Sequence, residues 1–137
     1  MITQDQLKEL QERSAALSRY LDVEGKKIEV EEEELRTHVP DFWADQKAAE
    51  AQMKKIKQLR FWINSCSELD QAVEEVATGF DFVKEGLIDE AELDGLYATA
   101  LDKVERLELR NMLRQDEDKM DAILKINSGA GGTESQD

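Results

Sequence analysis

The sequence predicts an all-α fold, an elongated antiparallel three-helix bundle of coiled-coil type that ends in the strand stub of a missing second domain. Three observations carry this expectation. Pro40 is the only proline in 137 residues, so almost nothing breaks a helix from within. Apolar residues recur at intervals of three and four over three long stretches, the period of a helical face. The seven glycines are sparse until Gly129, Gly131 and Gly132, where the character of the chain changes. A chain of this length buries roughly two thirds of its unfolded surface when compact, enough for a real core.

The first stretch opens at Thr3, with Gln6 three residues on, the spacing of a capping box. Leu7, Leu10, Leu17 and Leu21 then trace one stripe, and Ile28 and Leu35 extend it by sevens, while Glu24, Glu31 and His38 occupy the alternate apolar positions. Val23 and Val30 partly replace the stripe on an adjacent face. One helix to about Arg36, either straight or bent at Gly25, is therefore expected. His38-Val39-Pro40-Asp41 breaks it, because the residue before proline is driven away from the α region and proline lacks the amide proton that the next turn needs.

The second stretch keeps a heptad seam through Ile56, Leu59, Ile63, Cys66, Val73, Val76, Phe80, Val83 and Leu87, with Asp70 as its one interruption. Gly86, followed by Asp89 as a candidate cap, marks the second turn, and Leu93, Leu96, Ala100, Val104 and Leu107 form the third stripe. An isolated helix cannot bury its apolar face, and short connections favour antiparallel neighbours, which makes the bundle the economical solution. The expected division is a helical domain over residues 1–115 and a linker with the opening strand and turn of a second domain over 116–137. In that tail residues 116–118 are a polar break, 122–126 an apolar run suited to a strand, 128–133 a turn and 133–136 a helix start.

Composition narrows the function classes. Eighteen Lys and Arg against 32 Asp and Glu leave a formal charge of −14, which argues against nonspecific nucleic-acid affinity through the field of the whole chain. No apolar run approaches the length of a membrane span, and the N-terminus lacks the basic start and apolar stretch of a secretory signal. A single Cys66 cannot close an intramolecular disulfide, so a reducing cytoplasmic location is expected. One histidine and one cysteine give little material for a zinc site or a Cys-His nucleophile. No catalytic, cofactor-binding or metal residue is assigned, and neither a membrane nor a small-molecule substrate is expected.

Three segments carry a resemblance: Tyr20-Leu21-Asp22 with Lys26-Lys27 and the glutamates after them; Pro40-Asp41-Phe42-Trp43 with Asp45; and residues 126–137, including Gly129, Gly131, Gly132, Thr133, Glu134 and Gln136. Together they resemble the N-terminal part of the bacterial class I peptide chain release factors, of the type that reads UGA and UAA, over essentially the whole chain. Thr133, Gln136 and the Pro-Asp-x-Trp turn favour that type over its UAG-reading sister. The resemblance implies translation termination as the activity of the intact factor. It implies the ribosome, through ribosomal RNA and the stalk-base protein, and the GTPase release factor as partners of this domain. Family members hydrolyse peptidyl-tRNA through a Gly-Gly-Gln tripeptide and read the codon through a Ser-Pro-Phe loop. Gly131-Gly132 here precedes Thr133 and the one proline follows Val39, so neither motif is present and no catalytic residue carries over.

Several residues have two readings. Phe42 and Trp43 are either a recognition knob or, as expected, plugs at the bundle end. Cys66 fills a seam position and reads as a small hydrophobe, and His38 as a solvated turn residue. Glu31-Glu32-Glu33-Glu34 reads as a solvated helix face, with docking of a basic partner as the alternative. Lys54, Lys55, Lys57 and Arg60 form one basic cluster. Arg106, Arg110 and Arg114 recur every four residues on one face of the third helix and either clamp ribosomal RNA phosphates or pair with glutamates of neighbouring helices. The tail glycines lack the Lys-Ser/Thr that a phosphate-binding loop requires. A second function class fits the same composition: a free-standing acidic coiled-coil adaptor or holdase unrelated to translation.

Overall fold

The computed structural model describes residues 1–131, and side chains as far as Leu124. Among the described residues every regular element is helical: α1 (Gln4–Leu21), α2 (Val23–Arg36), a single 3-10 turn (Phe42–Ala44), α3 (Gln46–Lys84) and α4 (Glu90–Gly131). The all-α class holds, with four helices where three were expected. The chain divides into two compact units, Met1–Val104 and a second beginning at Glu105. The division between the two units falls inside α4.

The additional helix comes from a break at Asp22 rather than a bend at Gly25. Asp22 takes the left-handed conformation (φ 50°, ψ 60°), ends α1 by donating its N–H to the carbonyl of Arg19, and caps α2 by accepting from the Gly25 N–H at 3.3 Å. Aspartate tolerates this backbone because its short carboxylate bonds locally. The role of Gly25 is clearance, since a Cβ there would lie 2.2 Å from Oδ2 of Asp22. Lys26 Nζ closes the device by donating to the Leu21 carbonyl at 2.5 Å. The break resets the helical phase, so Ile28 and Leu35, the expected continuation of the stripe, are exposed, while Val30 and Glu33 are buried.

The capping box is formed as read: Gln6 N–H donates to Thr3 Oγ1 at 3.1 Å and Thr3 N–H to Gln6 Oε1 at 2.7 Å. Asp45 caps α3 through the Ala48 N–H. At the other end of α3, Gly86 (φ 74°) and Leu87 return their N–H groups to the carbonyls of Val83 and Phe82, a Schellman ending that requires a left-handed residue. Asp89 then caps α4 by accepting from Glu92 N–H at 2.7 Å.

Contacts between α1–α2 and α3 run antiparallel. Ser14, itself buried, donates to Asp70 Oδ1 at 3.0 Å, while Glu29 and Glu33 further along reach back to Lys55. Asp70, the interruption of the seam, is thus a hydrogen-bond acceptor for α1. The buried line of α3 also differs from the expected one: Trp62, Cys66, Leu69, Val73, Val76 and Phe80 form a continuous 3-4 series, whereas Leu59, Ile63 and Val83 are half-buried and Leu87 is exposed. The reason is that α3 packs on two neighbours. It faces α1–α2 along most of its length and the start of α4 near Gly79, so its apolar arc is wider than a two-position seam. From α4, Leu93, Ala100 and Val104 are completely buried in the first unit.

Residues 122–126, expected to form a strand, lie within α4, which continues to Gly131 through part of the expected turn. A short apolar run has no intrinsic preference that separates strand from helix. No strand exists among the described residues to pair with it, and a helix satisfies its backbone groups internally. Thr133 and Glu134 of the resemblance lie outside the described residues, as do Gly132 and the expected helix start.

Candidate interaction surfaces

The described residues hold no group of three or more His, Cys, Asp or Glu side chains placed to bind a metal ion, and none of the described helices is long and apolar enough to cross a membrane. Cys66 is buried, and burial pushes its thiol up, with partial relief from the Ser18 hydroxyl. A reactive thiolate needs the opposite shift. Three surfaces stand out by their exposed aromatic or charged side chains.

The first is the turn between α2 and α3. Pro40, Asp41 and Trp43 are exposed and Phe42 is half-buried. The two rings pack edge to face on each other, with centroids 4.8 Å apart and planes at 89°. Trp43 is 62% exposed, so the expected plugging of the bundle end is not what this tryptophan does. The physical reason is local: the single 3-10 turn after Pro40 is too short to carry both rings under the helices, and the two rings pack on each other instead. His38 is exposed beside them.

The second surface is a charge seam that joins α2 to α3, and it corrects the reading of the glutamate run as a solvated face. Glu31 and Glu32 are exposed, but Glu33 is buried and meets Lys55 at 3.3 Å and Arg36 at 3.6 Å, while Glu34 pairs with Arg60. Glu29 also reaches Lys55 at 3.3 Å. Two of the four members of the basic cluster, Lys55 and Arg60, are therefore paired across α2 and α3, although all four are exposed. Hydrogen bonds that Lys55 donates to Glu29, then to Glu33, raise its pKa above the ordinary 10.5. A lysine whose folded pKa exceeds its unfolded one contributes stability that is complete below the unfolded value and fades as pH rises through the folded value. The thermal midpoint should therefore fall as pH passes above about 10.5, and Lys55→Met should flatten that fall. Parallel melts of both proteins from pH 8 to 12 check this, and identical slopes would remove Lys55 from the account.

The third surface is the arginine series on α4, described within the second unit. Arg106 and Arg110 are exposed and Arg114 is half-buried, donating through Nη2 to Asn111 Oδ1 at 3.0 Å. Each of the three arginines has a polar or electrostatic partner. The four-residue spacing holds because α4 is continuous here, so the side chains follow one side of the helix. Sequence reasoning missed the Glu33–Lys55 and Glu34–Arg60 pairing. Its only advance signal was the presence of a glutamate run before Pro40 and a lysine-arginine run after it.

Comparison with known proteins adds a family. The PCRF domain family matches residues 26–137. The chain is 34% identical over 137 residues to peptide chain release factor 2 of Proteus mirabilis, covering 96% of this chain and 36% of that protein. It is 37% identical over 120 residues to the Staphylococcus haemolyticus protein of the same name, covering 85% and 32%. With the Colwellia psychrerythraea one it is 35% identical over 136 residues, covering 96% and 36%. The chain spans about a third of the length of these relatives.

Proposed function

Because this chain belongs to the PCRF domain family, we propose that it acts in translation termination, as the N-terminal helical domain of a cytoplasmic, stop-codon-dependent release factor of the UGA/UAA type. Identity of 34–37% to three proteins named peptide chain release factor 2, over 85–96% of the chain, is the observation that carries the reading. An adaptor or holdase unrelated to translation would have no reason to share this sequence with release factors. In this reading residues 116–137 lead into the factor's next domain. The domain itself contributes docking and no chemistry. Its partners are the ribosome, at ribosomal RNA and the stalk-base protein, and the GTPase release factor.

The docking face we assign is the one bearing Arg106, Arg110 and Arg114. Arginine contacts to phosphate release counterions, so association through them weakens steeply with salt. Labelled chain should cosediment with ribosomes at low salt and lose that association as salt rises. Replacing all three arginines by glutamine should weaken binding at least tenfold and shallow the salt dependence. The competing role is structural, since each arginine already has a partner. If the triple variant melts earlier but binds ribosomes unchanged at every salt concentration, the arginines are struts and the face is elsewhere.

A further inference from the structure

The hairpin closed at Gly86 holds a groove of about 510 Å³ between the last turns of α3 and the first turns of α4, wholly within the first unit. Its floor is apolar, formed by Gly79, Phe82, Ile88 and Leu96. Gly79 shapes it: a Cβ at that position would stand 3.1 Å from Leu96 and 3.3 Å from Leu93, so glycine allows α4 to approach closely and leaves the floor free of a side chain. Phe82 is 39% exposed on that floor, a large apolar surface with no cover.

The rim is acidic. Glu74 and Glu75 stand on α3 and Glu92 on α4, all three exposed, and among the described residues no lysine or arginine pairs with them. The contrast is within the same molecule. Glu29, Glu33 and Glu34 face α3 and are matched there by Lys55 and Arg60, whereas these three surround an apolar floor and are matched by no basic side chain among the described residues. Uncompensated carboxylates around buriable apolar surface repel nucleic acid and acidic chains. They complement a segment that inserts aliphatic side chains and carries lysine or arginine beside them. Glu74 to Phe82 spans roughly 12 Å of helix, about two turns, which suits a short helix lying between two others.

We propose that this groove, floored by Gly79, Phe82, Ile88 and Leu96 and rimmed by Glu74, Glu75 and Glu92, is the docking site for a basic amphipathic helix of a partner protein. It shares no residue with the arginine series and does not depend on how that series engages the ribosome. The test follows backbone amide signals of the full ¹⁵N-labelled chain as a synthetic helical peptide is added, with leucine on one face and lysine on the other.

Saturable shifts should cluster at Thr78, Gly79, Phe82, Ile88 and Leu96. The triple variant Glu74→Gln, Glu75→Gln, Glu92→Gln should bind at least tenfold more weakly with unchanged helix content, and Phe82→Ala should weaken binding with the charges intact. A matched triple elsewhere, Glu12→Gln, Glu31→Gln, Glu32→Gln, should change affinity less than twofold. Equal weakening by both triples, or shifts spread over every acidic face, would show that the peptide reads only net charge and would overturn the proposal. So would undiminished binding of a peptide with serine in place of leucine. Concentration-dependent shifts at the same residues without peptide would identify a second copy as the occupant and equally overturn it.

Discussion

Truncating Leu69 to alanine should destabilise the protein by about 2–5 kcal/mol, whereas Leu87→Ala should change stability by no more than about 0.5 kcal/mol. The two leucines exchange the ranks that the heptad rhythm assigns them. Leu87 continues that rhythm, and Leu69 stands one residue before its interruption at Asp70. In the folded chain Leu69 is 1% exposed and Leu87 is 65% exposed. Removing three buried carbon atoms from Leu69 forfeits their transfer free energy and leaves a cavity between long helices that can close only partly. Leu87 follows Gly86 in the Schellman ending and contributes its N–H, which alanine retains. Thermal or urea melts of both variants decide the matter, and equal losses would mean that α3 buries the face its heptads suggest.

The difference between those leucines shows where the sequence could be read and where it could not. Thr3 with Gln6, Gly86 with Asp89 and the break at Pro40 are local events, set by residues within four positions of one another, and all three are where the spacing puts them. The break at Asp22 is also local, but its signal is a carboxylate occupying the space of a missing Cβ at Gly25, a fit that shows only in three dimensions. The arc of α3 depends on how many helices pack against it, which no periodicity within α3 reveals. Burial of Glu33 depends on Lys55, 22 residues away. The apolar run at 122–126 takes its state from whatever it can pair with, so composition alone leaves strand and helix equal.

The candidate surfaces divide in the same way. Four-residue spacing places Arg106, Arg110 and Arg114 on one side of a helix without reference to anything else, but the Arg114 bond to Asn111 depends on side-chain rotamers. Exposure of Trp43 was missed because aromatic burial is a tendency of whole domains, while the short turn after Pro40 determines this ring's position. The groove at Gly79 left no linear trace at all. Its floor draws on residues 79, 82, 88 and 96, and these become one surface only when the hairpin at Gly86 closes.

On ribosomes halted at a stop codon with peptidyl-tRNA in place, the chain should release no peptide above the factor-free background. Its resemblance to release factors implies hydrolysis through a Gly-Gly-Gln tripeptide, and the only adjacent glycines, Gly131 and Gly132, are followed by Thr133. Nothing among the described side chains offers a substitute. General base catalysis of water attack needs a titratable group held within hydrogen-bond reach of the reacting atoms. The single histidine, His38, is exposed on the turn before Pro40, and Cys66 is buried with its thiol pushed up, which lowers the thiolate fraction that nucleophilic attack requires. A full-length release factor added to the same ribosomes shows that they are competent, so a blank from the chain reports on the chain. Stop-codon-dependent release by the chain alone would mean that residues other than Gly-Gly-Gln carry hydrolysis, and the docking role assigned to this domain would have to give way to a catalytic one.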